Sequence, residues 1–243
     1  MAGSLILALE TATGCGSVAL TRGDGPESYV VAECTCRPEV SHSRRLLGSV
    51  QWAMEAAGVH WDDLDGIAVS IGPGSFTGLR IGLAAAKGMA MATGKPFLAV
   101  PTLDALALCY CGEEETIGCL LDARREEVYA ALYRPGSKTI PQRLTEYRAV
   151  KPEQLVAELT APVALLGSGA HIYEDLFRAS GQLRVINSIV AHPRAANVGF
   201  VGAHMLEQGD IADPVTAAPL YIRASEAEIN LHKKSLNKQG QAK

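Results

Sequence analysis

Several things are scarce in this 243-residue chain, and each scarcity excludes a class of protein. No run approaches the roughly 18 apolar residues that a membrane-spanning helix needs. Ile81 to Ala86 is six residues long and closes on Lys87. Ser4 to Leu9 is apolar but lacks a basic flank and runs straight into Glu10, so it reads as a first strand and not as a signal peptide. A cytoplasmic location is the expectation. There is no excess of basic charge: 22 Lys and Arg stand against 26 Asp and Glu, a net charge of -4. This argues against a broad positive surface that grips nucleic acid and leaves room for a local patch, so direct nucleic-acid contact is expected to be minor at most.

Metal and redox spacings are also missing. The cysteines stand at 15, 34, 36, 109, 111 and 119, and the two close pairs are C-x-C, neither the C-x-x-C of a redox helix nor the spacing of structural zinc. They read as buried thiols in a reducing compartment, with zinc as the alternative. His42, His60, His171, His192, His204 and His232 form no H-x-x-x-H pair. No G-x-S-x-G elbow and no P-loop frame occurs. Ser168 and His171 read as a helix cap and a solvent-facing side chain. No nucleophile and base can be named together.

What is present is a full set of α/β signals. Strands are expected at Ser4–Leu9, Ser17–Thr21 and Tyr29–Cys34, the first two joined by the glycine-containing turn of "ETATGCG". A helix capped by Ser41 carries Leu46, Leu47, Val50, Ala53, Met54 and Ala57 at helical spacing and stops at Gly58. Gly66–Ile71 is a strand, Leu79–Thr93 a helix, Phe97–Val100 a strand, and Thr102 caps a short helix to Leu108. The second part reads as hairpin strands Ile117–Leu121 and Glu127–Tyr133, a helix from Pro152 to Leu159, and a strand Val163–Leu166. A helix Ala170–Phe177, a strand Val185–Val190 and a helix from Pro193 or Arg194 to Glu207 complete it. This is the motif order of two α/β halves with no internal sequence repeat. Residues 1–105 form the expected first lobe and 106–231 the second, part of which returns to the first. Residues 232–243, with four lysines and no acid, form a mobile basic tail.

Two features carry the functional question. The turn Gly72-Pro-Gly74-Ser-Phe-Thr-Gly78 lies between a strand and a helix, where free backbone N–H groups can cradle an anion; it also reads as a purely conformational turn. Glu10, at the end of the first strand, suits a nucleotide cleft or accepts hydrogen bonds from its own turn. Asp122 repeats the question in the second half. The helix after the glycine turn has Lys87 as its sole charge between Arg80 and Lys95, so it lacks the broad polar face of a surface helix. It therefore needs cover on two sides, either from the second lobe or from another chain. Leu47, Met54, Gly82, Leu83, Ala86 and Met91 are the candidate interface residues.

The segments "ILALETATGCGSVAL", "SHSRRLL", "IAVSIGPGSFTGLRIGLAAAKGMA" and "PLYIRASEAE" together resemble the TsaB (YeaZ) family, relatives of the glycoprotease-like TsaD family, nearly to Leu231. The resemblance implies an α/β, two-lobed actin-like ATPase (ASKHA) fold with a partly degenerate active site. In TsaD two histidines four residues apart bind a metal; the matching places here hold Thr102 and Leu106, and His42 alone matches a motif histidine. The implied role is non-catalytic. It is that of a TsaD partner, cooperating with TsaE, in moving threonylcarbamoyl from the threonylcarbamoyl-AMP made by TsaC to N6 of adenosine 37 of tRNAs reading codons that begin with A. A homodimer through the same surface is implied when TsaD is absent. Glu10, Gly72 and Gly74 match positions near the nucleotide cleft of the superfamily, where ATP or ADP with Mg would bind. The alternatives are an actin-like nucleotide-dependent enzyme, a kinase or peptidase using Glu10 and Asp122, or a homodimer with a vestigial cleft.

Overall fold

The computed structural model describes residues 3–14, 16–36, 45–110, 115–136, 140–186 and 192–223. Ser41, His42, Cys15, Cys111 and the basic tail lie outside the described residues.

The first sheet contains β1 (Leu5–Glu10), β2 (Gly16–Arg22), β3 (Tyr29–Cys36), β4 (Gly66–Gly72) and β5 (Phe97–Pro101), in the spatial order β3-β2-β1-β4-β5. β1 and β2 are antiparallel, as are β2 and β3, whereas β4 and β5 run parallel to β1. The second sheet is built from β6 (Thr116–Arg124), β7 (Glu127–Arg134), β8 (Gln142–Arg143), β9 (Arg148–Val150), β10 (Val163–Leu166) and β11 (Leu183–Val185). Its order is β11-β10-β6-β7-β8, and β9 also pairs with β7. With β6 as the first strand of the unit, this is the same arrangement: an antiparallel pair on one side and two parallel strands on the other. The duplication that the sequence does not display as a repeat is plain in strand order.

Strand parity decides which helices cover which face. Leu5, Leu7 and Leu9 of β1 point to one side of the first sheet, where they pack with α1 (Leu46–Ala57) and α2 (Phe76–Thr93). Ile6 and Ala8 point to the other side and meet α7 (Ala195–Glu207). α7 comes very close: a Cβ on Gly202 would stand 2.7 Å from the Ala68 methyl. Its N-terminus is held by two first-sheet residues remote in sequence. Ser17 Oγ accepts from Ala195 N–H at 2.8 Å, and the Glu33 carboxylate pairs with Arg194 and accepts from Ala196 N–H.

In the second sheet, α3 (Thr102–Ala107) covers the face of Ile117, Cys119 and Leu121. α4 (Pro152–Glu158), α5 (Ser168–Ile172) and α6 (Glu174–Ala179) contribute Leu155, Ala170 and Phe177 to the opposite one. Asp104 ties α3 to this sheet by accepting from Tyr133 Oη and Tyr147 Oη, both at 2.7 Å.

Some local expectations are corrected. Thr102 does not cap α3 with its side chain; Pro101 is the cap, and the buried Thr102 Oγ1 accepts from Gly72 N–H at 3.1 Å. Ser168 does not cap either: Gly167 stands there, at φ +96°, and Ser168 Oγ accepts from Asp122 N–H. The expected helix 170–177 is two short helices meeting at Tyr173. The described part of the strand expected at 185–190 is Leu183–Val185. The C-x-C pair at 34 and 36 is half-buried, as is Cys109; Cys119 is the one buried thiol among the described cysteines.

Candidate functional site

α2 begins three residues earlier than its apolar pattern suggests, because Ser75 caps it: Ser75 Oγ accepts from Gly78 N–H at 3.2 Å. Gly78, Leu79, Gly82, Leu83, Ala86 and Ala90 form the buried stripe of the helix. On the far side Thr77, Arg80, Ala84, Gly88, Met91 and Ala92 are exposed, and Ile81, Ala85 and Met89 are half-buried between them. One flank is strapped by the following chain. Lys87 Nζ donates to Val215 O, Arg80 Nε donates to Tyr221 Oη, and Arg80 and Tyr221 both contact the Phe76 ring. Neither the second sheet with its helices nor this strap covers the remaining small, uncharged surface. Beside it, α1, the loop Gly58–Trp61 and Met89 enclose an open groove of about 640 Å³. Leu47, Met54 and Trp61 are among its apolar walls.

The six candidate interface residues divide on this geometry. Leu47 and Met91 are each 62% exposed. Met54, Gly82, Leu83 and Ala86 are buried within the chain itself. Sequence reasoning passed over Ala84, Gly88 and Trp61. The signal for the first two was helical phase, since Leu79 and Leu83 on the sheet side put 84 and 88 on the other.

Glu10 is fully buried. Its Oε1 accepts from Ala12 N–H at 2.6 Å, and the Thr13 N–H also bonds the carboxyl, so the side chain closes its own turn. Burial raises its pKa to about 7, opposed by Ser70 and these two amides. Ser70 Oγ stands beside the carboxyl, yet neither it nor Glu10 Oε2 reaches hydrogen-bonding geometry with any atom. A protonated Oε2 has a proton to give and Ser70 Oγ a lone pair to receive it. Asp122 is engaged elsewhere: its Oδ1 accepts from Arg124 N–H at 2.8 Å, and its carboxylate pairs with the Arg124 guanidinium.

The glycine turn packs against Glu10's turn, backbone to backbone. A Cβ on Gly74 would lie 2.3 Å from Ala12 O, which already accepts from Ser75 N–H. Gly72, at φ +121°, has Leu220 O at 2.8 Å from where its Cβ would be, and its N–H is given to Thr102. In this arrangement Glu10, Gly72 and Gly74 do not present a cradle for a nucleotide phosphate: the carboxyl is sealed and the space over both glycines is filled by the chain. Among the described residues, no group of three or more His, Cys, Asp or Glu is placed to hold a metal ion.

The duplicated strand order, with helices on both faces of each sheet, defines an actin-like α/β protein of the ASKHA class. Comparison with known proteins narrows this. Residues 37–231 match the family model described as TsaD: tRNA N6-adenosine threonylcarbamoyltransferase. The tRNA threonylcarbamoyladenosine biosynthesis protein TsaB of Bacillus subtilis (strain 168) is 30% identical, the match covering 92% of this chain and 96% of that protein. Its Escherichia coli (strain K12) namesake is 31% identical over 91% and 96% of the two chains. The solved structure of YeaZ from Pseudomonas aeruginosa superposes with a TM-score of 0.75 at 27% identity, covering 90% of this chain and 99% of that one. The chain belongs to the TsaB (YeaZ) family, within the TsaD-related proteins. No helix among the described residues is long and apolar enough to cross a membrane.

Proposed function

We propose that this chain is a non-catalytic partner of TsaD, holding it in a competent arrangement for transfer of the threonylcarbamoyl group to N6 of adenosine 37 of tRNAs reading codons that begin with A. The observation that carries this reading is family membership over nearly the full length of both TsaB relatives. The uncovered flank of α2 and the groove beside α1 supply a physical means. An apolar surface of small residues lets another helix approach closely, and burying it releases water from both partners. Where the resemblance puts TsaD's histidine pair, Thr102 and Leu106 are both buried, and Thr102 is committed to Gly72. In this reading TsaE docks on the assembled pair, a second copy of this chain takes the same face when TsaD is absent, and the work is done in the cytoplasm. The division into a first lobe to about residue 105, a second from 106 to 231 and a basic tail is part of the same reading.

Mixing the purified chain with TsaD from the same organism tests it. A stable 1:1 complex in light scattering is expected. Two folded proteins that stay apart at micromolar concentration overturn it.

A second reading, ATP or ADP with Mg at Glu10, Gly72 and Gly74, is favoured by one observation, the partnerless Glu10 Oε2 and Ser70 Oγ. It requires the two packed turns to part. Calorimetry with each nucleotide, with and without magnesium, detects such a state, and no heat at millimolar nucleotide removes it.

A further inference from the structure

β3 is the edge strand of the first sheet, and its last residues bring two thiols together. Cys34 and Cys36 are two apart on one strand and so share a face. Their sulfurs are 3.9 Å apart, and Cys34 Sγ lies 3.8 Å from Ser49 Oγ of α1. Both thiols are half-buried, reachable yet shielded. Arg45, at the start of α1, joins Cys36, Thr11 and Gly16 in lining a small cavity of about 20 Å³. The bond with Cys34 holds the Cys36 proton above its ordinary pKa, with further contributions from the Cys34 charge and from burial; the Arg45 guanidinium pulls the other way.

From this placement we infer that Cys34 and Cys36 are a two-thiolate site for a soft, low-coordinate cation of the Cu(I) type. Two-coordinate copper(I) holds its thiolates nearly opposite each other, about 4.6 Å apart at a usual metal–thiolate distance of about 2.3 Å, so the two sulfurs have to part by about 0.7 Å to take the ion between them. Thiolate donors select soft ions, and copper(I) is satisfied by two or three of them. Binding replaces two S–H protons by one monovalent ion, so two protons leave and the copper bis-thiolate carries one negative charge. Arg45 is placed to balance that charge. A divalent ion on the same two sulfurs would give a neutral centre, for which the guanidinium does nothing.

The test is anaerobic titration of the reduced full-length chain with Cu(I) against a colorimetric Cu(I) chelator. One ion per chain is expected at this pair. Cys34→Ser and Cys36→Ser should each weaken that binding on the order of 100-fold. Cys109→Ser should leave it unchanged, and Arg45→Ala should weaken it by a smaller factor. Thermal unfolding of each variant without copper checks that the fold survives, and copper should raise the melting temperature of the native chain but not of the Cys34 and Cys36 variants. Binding that persists unchanged in Cys34→Ser or Cys36→Ser overturns the assignment. So does a native chain that surrenders all its copper to the chelator, or one that holds Zn(II) more tightly than Cu(I) through the same two residues.

Discussion

Thr11 Oγ1 occupies the place where Gly82 would carry a side chain: a Cβ there would stand 2.1 Å from the hydroxyl oxygen. The same hydroxyl donates to Gly78 O at 2.8 Å, so one threonine from Glu10's turn is locked against two successive turns of α2.

Gly82→Ala should therefore destabilise the chain by about 1–3 kcal/mol, the ordinary effect of overpacking a filled site. Thr11→Ala loses the bond to Gly78 but opens the space. The double variant should be more stable than the sum of the single effects implies, by about 1 kcal/mol or more, as neighbours that share a site are coupled. Urea denaturation of the four proteins measures this, and strict additivity would show that Thr11 and Gly82 do not compete for the same volume.

Exposure separates two kinds of charged substitution on the proposed partner face. Leu47→Glu and Met91→Glu project into water in the free chain, so both should fold and melt like the parent. Their association with TsaD should fall by at least about tenfold if these side chains are central to the contact. Ala86→Glu puts an unpaired charge where no solvent reaches and should cost several kcal/mol of stability. Circular dichroism and light scattering together distinguish these outcomes. Normal assembly of both Leu47→Glu and Met91→Glu would move the contact to another face.

Glu10 should make the chain less stable as pH rises. Its folded pKa of about 7 lies above the ordinary 4.5, so between those values the unfolded chain loses a proton that the folded chain keeps. The penalty is absent below pH 4.5, grows to roughly 3 kcal/mol near pH 7 and is then constant. Glu10→Gln stays neutral, so its stability relative to the parent should improve by about that amount between pH 4.5 and pH 8. Denaturation midpoints at the two pH values supply the comparison, and a difference that does not change with pH would mean that Glu10 ionises in the fold as freely as in water.

Most elements were legible because their signals are local. β10 runs apolar over its whole length and β1 as far as Leu9, and Gly58 and Gly94 stop α1 and α2 in the left-handed conformation that glycine adopts readily. The parts that were not legible depend on partners distant in the chain. Thr102 and Ser168 look like caps because serine and threonine favour helix starts, but each hydroxyl serves the backbone of another element, Gly72 and Asp122. The hold on α7 comes from Ser17 and Glu33, more than 150 positions away, and no local pattern announces it. At the candidate face, lack of charge singled out α2, one side of which is exposed in the chain by itself. Composition carries no phase, however, so four of six named residues proved to line the chain's own core. The glycine turn suggested an anion because free N–H groups do so in isolation, and only the fold shows Ala12 and Leu220 already pressed against it.

α7 has a consequence for how the protein comes into being. One face of the first sheet is covered by residues 195–207, far along the chain from its last strand, Phe97–Pro101. As synthesis proceeds, five strands that are ready early must wait, greasy on that side, until residues 195–207 have been made. A gene fragment ending before Ala195 would encode every one of those strands and still leave Ile6, Ala8, Ala68 and Leu98 open to water, so the first sheet cannot be cut out as a contiguous piece with both of its faces covered.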